Sequence, residues 1–243
     1  VKLLAAKSFV SRNSEGVINE TLADTPITLL QGARQVGKST LVKRLVQRHS
    51  GVFFSLDDPS VLAAVRADPD GFLTQTNQLL AIDEVQRAPE LVRALKATVD
   101  RNRAPGRFLL TGSADLLAVP GASDSLAGRA ETVLLYGFSR GELLGYTDDF
   151  VTYFARGAES LRASDLQRDN YISHVCSGGY PEALLRSGKR RERWFANYLN
   201  RIIQRDASEI SRVHNKNRLM TLLKLLAADN AGELNVAKLS REA

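Results

Sequence analysis

The sequence predicts an α/β protein: a parallel sheet with flanking helices, followed by a mainly helical region. Three features predict it. Short apolar runs alternate with amphipathic helical stretches as far as about residue 136, the order that builds a parallel sheet covered on both faces. A loop with glycines at positions 32 and 37 joins the first run to the first helical stretch. After Phe138 no strong strand pattern follows, and apolar residues fall at helical spacing instead.

The elements follow in order. Ile27-Thr28-Leu29-Leu30 is the first strand, and Ser39 to His49 a helix with Leu41, Val42, Leu45 and Val46 on one face. Val52 to Leu56 is a second strand, stopped by Asp57-Asp58-Pro59. Pro59 suits a first helical position with Asp58 as its cap; for both Asp57 and Asp58 capping is a better account than a part in a site. Leu79 to Ile82 is a third, buried strand, and Pro89 opens a helix with Leu91, Leu95 and Val99 every four residues. Phe108 to Thr111 and Thr132 to Tyr136 are strands four and five. Ser139-Arg140-Gly141-Glu142 has capping-box spacing. A long helix is expected within Arg190 to Val213, and an amphipathic one through Leu219, Leu222, Leu223 and Leu226. Glu233 to Leu239 begins one more helix, whose pattern is expected to continue past Ala243.

The chain has 243 residues, 44% hydrophobic and 25% charged. That is enough to bury a core without a staple, and it argues against disordered, collagen-like and disulfide-scaffold classes. Its one cysteine, Cys176, allows no intrachain disulfide and suits a reducing compartment. No apolar run approaches the roughly 18 residues of a membrane span, and the N-terminal apolar stretch is too short for a secretory signal. A cytoplasmic, membrane-free protein is the expectation. The net charge of +6 sits wholly in the last third, with 13 basic and 7 acidic residues from Tyr171 onward. That asymmetry points to DNA or a protein partner for the basic helical part, against a solvated surface richer in Arg than in Glu.

Gly32-Ala33-Arg34-Gln35-Val36-Gly37-Lys38-Ser39 matches G-x-x-x-x-G-K-[ST] in full, and Thr40 follows. The glycines let the backbone wrap an anion with successive N–H groups inward. The helix behind them presents its positive end to the same anion. Lys38 suits the β- and γ-phosphates, and the Ser39 hydroxyl suits Mg²⁺. The strand before and the helix after are the context such a loop requires.

Ile82-Asp83-Glu84 ends an apolar strand in two carboxylates. Strand C-termini of a parallel sheet face the ligand crevice. Asp83 suits Mg²⁺, through water, and Glu84 suits orienting an attacking water. The bland alternative is that one or both acids cap the helix near Pro89. The fourth strand ends in Thr111-Gly112-Ser113, where a polar side chain, Thr111 or Ser113, is placed to contact a γ-phosphate or the water. A strand end satisfying its own turn competes with that. Arg129 follows a Gly/Ser loop and precedes strand five, so it starts at the edge away from the phosphate end. It is a candidate arginine supplied in trans to a neighbour's γ-phosphate, or a plain surface arginine. A GTP reading lacks its guanine motif, since Asn215-Lys216-Asn217-Arg218 has no Asp. A small-molecule kinase lacks a visible acceptor site.

The chain resembles the prokaryotic AAA-type predicted ATPases that carry a C-terminal domain of unknown function. The phosphate loop with Thr40, Leu56-Asp57-Asp58-Pro59, Ile82-Asp83-Glu84-Val85-Gln86 with Ala88-Pro89-Glu90, Leu110-Thr111-Gly112-Ser113, Ser125-Leu126-Ala127-Gly128-Arg129 and Gly178-Gly179-Tyr180-Pro181-Glu182 carry the resemblance. It implies a P-loop ATPase core with an additional strand, a helical region, and a winged-helix-like segment leading to a nuclease-like domain. It also strengthens the arginine-finger role of Arg129. The expected division is 1–145 for the ATPase core, 146–230 for a helical, lid-like part and 231–243 for the start of the winged-helix-like segment. The expected function is Mg²⁺-dependent ATP hydrolysis coupled to a conformational change, by a possible homo-oligomer. The alternative is an ATP-switched binding module with little turnover.

His49, His174 and His214 lie far apart without metal-ligand spacing, which speaks against zinc. Cys176 is expected in a core. Trp194, Phe195 and Tyr198 fall at helical spacing and are expected to form a packing face rather than a base-stacking platform.

Overall fold

The computed structural model describes residues 9–112, 126–147, 150–157, 165–209, 216–230 and 232–242. The chain divides into two compact units, Val1–Leu185 and Arg186–Ala243. In the first unit, α1 (Ser14–Asp24) leads into β1 (Ile27–Gln31), α2 (Lys38–Arg48), β2 (Val52–Ser55), α3 (Pro59–Ala67), α4 (Pro69–Thr74) and β3 (Leu80–Asp83). A single 3-10 turn (Val85–Arg87) precedes α5 (Glu90–Arg101), and β4 (Phe108–Gly112) and β5 (Ala130–Leu134) complete the sheet. Short helices follow: α6 (Arg140–Leu144), α7 (Phe150–Ala155), α8 (Arg168–Ser177) and α9 (Pro181–Leu184).

The five strands are all parallel, in the order β2-β3-β4-β1-β5. Alternation along each strand serves two cores. Ile27, Leu29, Leu80, Ile82, Phe108 and Leu110 face one side, under Val65 of α3, Leu73 of α4 and the Leu91, Leu95 and Val99 stripe of α5. Leu30, Ala81, Leu109 and Val133 face the other, under Ile18 and Leu22 of α1 and the Leu41, Val42, Leu45 and Val46 face of α2. Burying both faces is what a parallel sheet requires. Each fully buried Leu adds about 2 kcal/mol of transfer free energy.

Caps set the helix starts. Asp58 accepts from the Ser60 N–H at 2.8 Å with Pro59 at the first position of α3, as expected. Asp68 does the same for α4, a helix without a prior sequence signal, by accepting from the Gly71 N–H. Both bonds of the Ser139–Glu142 capping box are present, at 3.1 and 2.8 Å. The fifth strand departs from expectation by two residues. Ala130 and Glu131 already pair with Ile27 and Thr28, although Glu131 is exposed at the sheet edge and breaks the apolar pattern. The apolar residues Leu135 and Tyr136 run past the strand, with the Leu135 N–H still bonded to the Gln31 carbonyl at 2.7 Å.

The second unit holds α10 (Gly188–Glu209), α11 (Lys216–Ala228) and α12 (Val236–Glu242). Trp194 stacks on Tyr198 with centroids 5.2 Å apart and meets Phe195 edge-on at 5.1 Å. Tyr198 and Ile203 are buried, so this aromatic set is a packing face. Leu219, Leu222 and Leu223 are half-buried and Leu226 is exposed. Among the described residues no helix is long and apolar enough to cross a membrane.

The segment after β5 meets the Gly178–Tyr180 turn backbone to backbone. The Phe138 N–H donates to the Gly179 carbonyl at 2.7 Å, and a Cβ on Gly179 would lie 2.6 Å from the Phe138 oxygen. Gly179→Ala is therefore expected to lower stability by about 2 kcal/mol or more, since backbone cannot yield as a side chain does. Gly16→Ala, on α1 with nothing within 4 Å of the new methyl, is expected to raise it by about 0.5 kcal/mol. Urea unfolding of both variants measures the contrast.

Candidate functional site

The site is built where β1, β3 and β4 end. Register sets it: Thr111 of β4 lies beside Leu30 of β1, and Ile82 of β3 lies beside Leu110. The last residues of three neighbouring strands thus reach one edge, immediately before the loop of residues 32–37.

The loop leaves β1 at Gly32, which closely approaches the chain beyond β5. A Cβ there would sit 2.3 Å from the Leu135 carbonyl oxygen, so only glycine fits. Ala33, Arg34, Gln35 and Val36 make the turn, with Gln35 at φ 64° in the left-handed region. Gly37 precedes α2 at φ 103°, a conformation that favours glycine. Lys38, Ser39 and Thr40 then form the first turn of α2, whose free N–H groups and positive end face the loop.

Lys38 is 5% exposed. Its Nζ donates to the Gly32 carbonyl at 2.7 Å and the Ala33 carbonyl at 3.0 Å. Burial pushes its pKa below the usual lysine range, while the negative charges of Glu84 and Asp83 oppose that shift and Arg34 adds to it. The ammonium therefore faces the acidic pair in a largely dry setting. An incoming polyphosphate would act in the same sense as those carboxylates and hold the lysine charged.

Asp83 closes β3 and is 5% exposed. Its Oδ1 accepts the hydroxyl proton of Thr111, itself fully buried. The same hydroxyl accepts the Glu84 N–H at 3.4 Å. Thr111 thus ties both acids to β4. Glu84 stands at φ 59°, ψ 42°, in the left-handed region, and its Oε2 accepts from the Gln86 amide. Neither acid makes a side-chain cap bond: Glu84 precedes the 3-10 turn without one, and α5 starts at Glu90 behind Pro89. A non-glycine residue held in this conformation is a feature that functional sites share.

Ser113 lies outside the described residues. Of the two polar strand-end residues, Thr111 is the one joined to Asp83. Arg129 stands at the start of β5, at the opposite end of the parallel strands from the loop. Asp100 holds it through Nε at 2.7 Å and Nη2 at 2.9 Å, and that pairing raises the Arg129 pKa and lowers that of Asp100. It stands away from the loop of residues 32–37 of its own chain. Asp57 is engaged by Arg87 rather than by the loop. Cys176 is exposed, not in a core.

Two pairings were not anticipated from the sequence. Gln86 reaches Glu84 across two positions. Arg12, before α1, meets Glu142 through Nε at 3.1 Å and the Val36 carbonyl through Nη1 at 3.0 Å. It bridges 24 and 130 positions of sequence, beyond any local pattern.

Residues 24–144 match the model of the AAA domain family, and residues 168–243 that of a domain of unknown function, DUF8612. Uncharacterized proteins of Mycobacterium tuberculosis and Mycobacterium bovis are each 40% identical over 128 residues. That stretch is 53% of this chain and 29% of each relative, so the chain matches less than a third of their length. A Walker-type ATPase of Pyrococcus abyssi shares the fold, with a TM-score of 0.54 at 17% identity over 96% of this chain and 89% of that one.

Thr111→Val keeps the volume and removes the hydroxyl that joins Asp83 and Glu84. The buried Asp83 carboxylate then loses a donor, at an expected cost of about 1–3 kcal/mol. The urea midpoint should fall with the slope unchanged.

Proposed function

We propose that the chain, whose residues 24–144 match the AAA domain family, is one of the prokaryotic AAA-type predicted ATPases, binds Mg²⁺-ATP in the loop of residues 32–40 and hydrolyses it, coupling the reaction to a conformational change. The observation that carries the reading is the buried Lys38 ammonium, set in the loop and facing Asp83 and Glu84 across one sheet edge.

In this reading the loop N–H groups from Gly32 to Thr40 and the end of α2 take the phosphates, with the β- and γ-oxygens on Lys38 Nζ. Glu84 accepts a hydrogen bond from a water, orients it in line with the γ-phosphorus and takes its proton as the bond to ADP breaks. The Ser39 hydroxyl, and the Asp83 carboxylate through water, would hold Mg²⁺. When bound, that ion spreads the charge developing on the phosphate oxygens. Thr111 positions Asp83. Any part played by Arg129 is in trans, from a neighbouring copy and after release from Asp100. Residues 1–145 are the catalytic core, 146–230 the helical part that answers to the nucleotide, and 231–243 the start of a winged-helix-like segment.

A second reading, an ATP-switched binder of DNA or protein with little turnover, draws on the exposed Lys189, Arg190 and Arg193 in the first turns of α10. Cations at a helix N-terminus oppose its dipole and suit an anionic partner. Turnover separates the two readings.

Lys38→Ala is expected to weaken ATP binding about a hundredfold or more, close to 3 kcal/mol, by removing a charge-assisted contact. Calorimetry showing equal affinity for variant and wild type would reject the site. Glu84→Gln is expected to keep ATP bound and slow phosphate release about a hundredfold or more. Release at the wild-type rate would remove Glu84 from the reaction. ATP bound by the wild type without any phosphate release would favour the second reading.

A further inference from the structure

We propose that Arg12 is a positioning residue for the phosphate loop: it fixes the Val36–Gly37 peptide so that the Gly37 N–H is presented to the nucleotide's phosphates. The inference deepens the reading of the loop as an ATP site and rests on it.

The Arg12 side chain is 4% exposed, and all three of its nitrogens are engaged. Its Nε donates to Glu142 Oε1 at 3.1 Å, Nη1 to the Val36 carbonyl at 3.0 Å and Nη2 to the Tyr136 carbonyl. One face lies 4.3 Å from the centroid of the Phe138 ring. Glu142 is fixed in turn, because Oε1 also accepts the Asn13 N–H at 2.7 Å and Oε2 closes the capping box of α6. Arg12 itself is anchored by its own N–H on Glu15 Oε1 at 2.9 Å. A planar fork with its donors in fixed directions, gripped this way, is a rigid reference point.

The consequence follows from peptide geometry. A trans peptide is planar, so its C=O and N–H point in opposite directions. Holding the Val36 oxygen on Arg12 turns the N–H of the same peptide, that of Gly37, to the other side. Gly37 carries φ 103°, the residue at which the loop is freest to flip. Arg12 removes that freedom before any ligand arrives, which is how preorganisation strengthens binding. Its charge is matched by Glu142, so its effect on the phosphates runs through the peptide and not through Coulomb attraction.

The test uses the whole chain, MgADP as probe, calorimetry for affinity and amide NMR for the Gly37 N–H. In wild type, MgADP should bind and move the Gly37 amide resonance strongly. Arg12→Ala should weaken MgADP about tenfold or more, the worth of one N–H to phosphate bond, and reduce the Gly37 response. Glu142→Gln breaks the ion pair but leaves Nη1 on Val36. It should lower Tm while keeping affinity within about threefold and the Gly37 response intact. If Arg12→Ala does not fold, Arg12→Lys keeps the charge, lacks the second arm, and should still weaken MgADP about threefold or more. Unchanged affinity and an unchanged Gly37 shift in the Arg12 variants would overturn the proposal. So would an equal loss in Glu142→Gln, which would make the network merely structural. Wild type failing to bind MgADP would instead overturn the reading of the loop itself.

Discussion

An ammonium ion with almost no access to water is the constraint around which this protein is arranged. Lys38 is buried at the start of α2, and two loop carbonyls accept its hydrogen bonds while two carboxylates offset its charge. A buried cation without such partners would be forced to neutral. The loop can bring those carbonyls inward because Gly32 leaves room for the Leu135 backbone. The acids can face the loop because their strand ends at the same edge. Without that meeting, each motif would be a local oddity.

The strand order explains how the meeting is achieved. The acidic strand β3 does not neighbour the loop strand β1; β4 lies between them. The loop strand and the acidic strand are therefore two steps apart, at about 4.8 Å per step. Thr111 stands on that middle strand and bonds Asp83, so the intervening strand does more than fill space. Beyond β5 the chain turns back, and the Phe138–Gly179 bond ties the helical residues that follow to the sheet end.

Much of this was legible in the sequence, and the remainder was hidden for physical reasons. Strands β1, β3 and β4 are buried on both faces, so their apolar runs mark them clearly. Strand β5 lies at an edge, where exposure of Glu131 and Thr132 blurs the run and shifts its apparent start. The loop and the Asp83–Glu84 pair were visible because their chemistry depends on adjacent residues. The choice between Thr111 and Ser113 was open because both are hydroxyl residues at the end of one apolar run. Arg12 and Glu142 were invisible as partners because only tertiary folding joins positions 130 apart. Glu142 had a complete local explanation as a capping residue, and that explanation is correct without being the whole of its role.

Glu84 shows how such a site shapes the room for improvement by engineering. Its left-handed backbone costs roughly 1 kcal/mol relative to a residue free of the Cβ penalty. A search for thermal robustness, scored on unfolding alone, would therefore favour glycine or asparagine here and rate the change a success. The same search would leave the site without its second carboxylate. Selection for heat tolerance in this scaffold is thus best confined to places such as Gly16, where helix and solvent are the sole neighbours, and kept away from the turn behind β3.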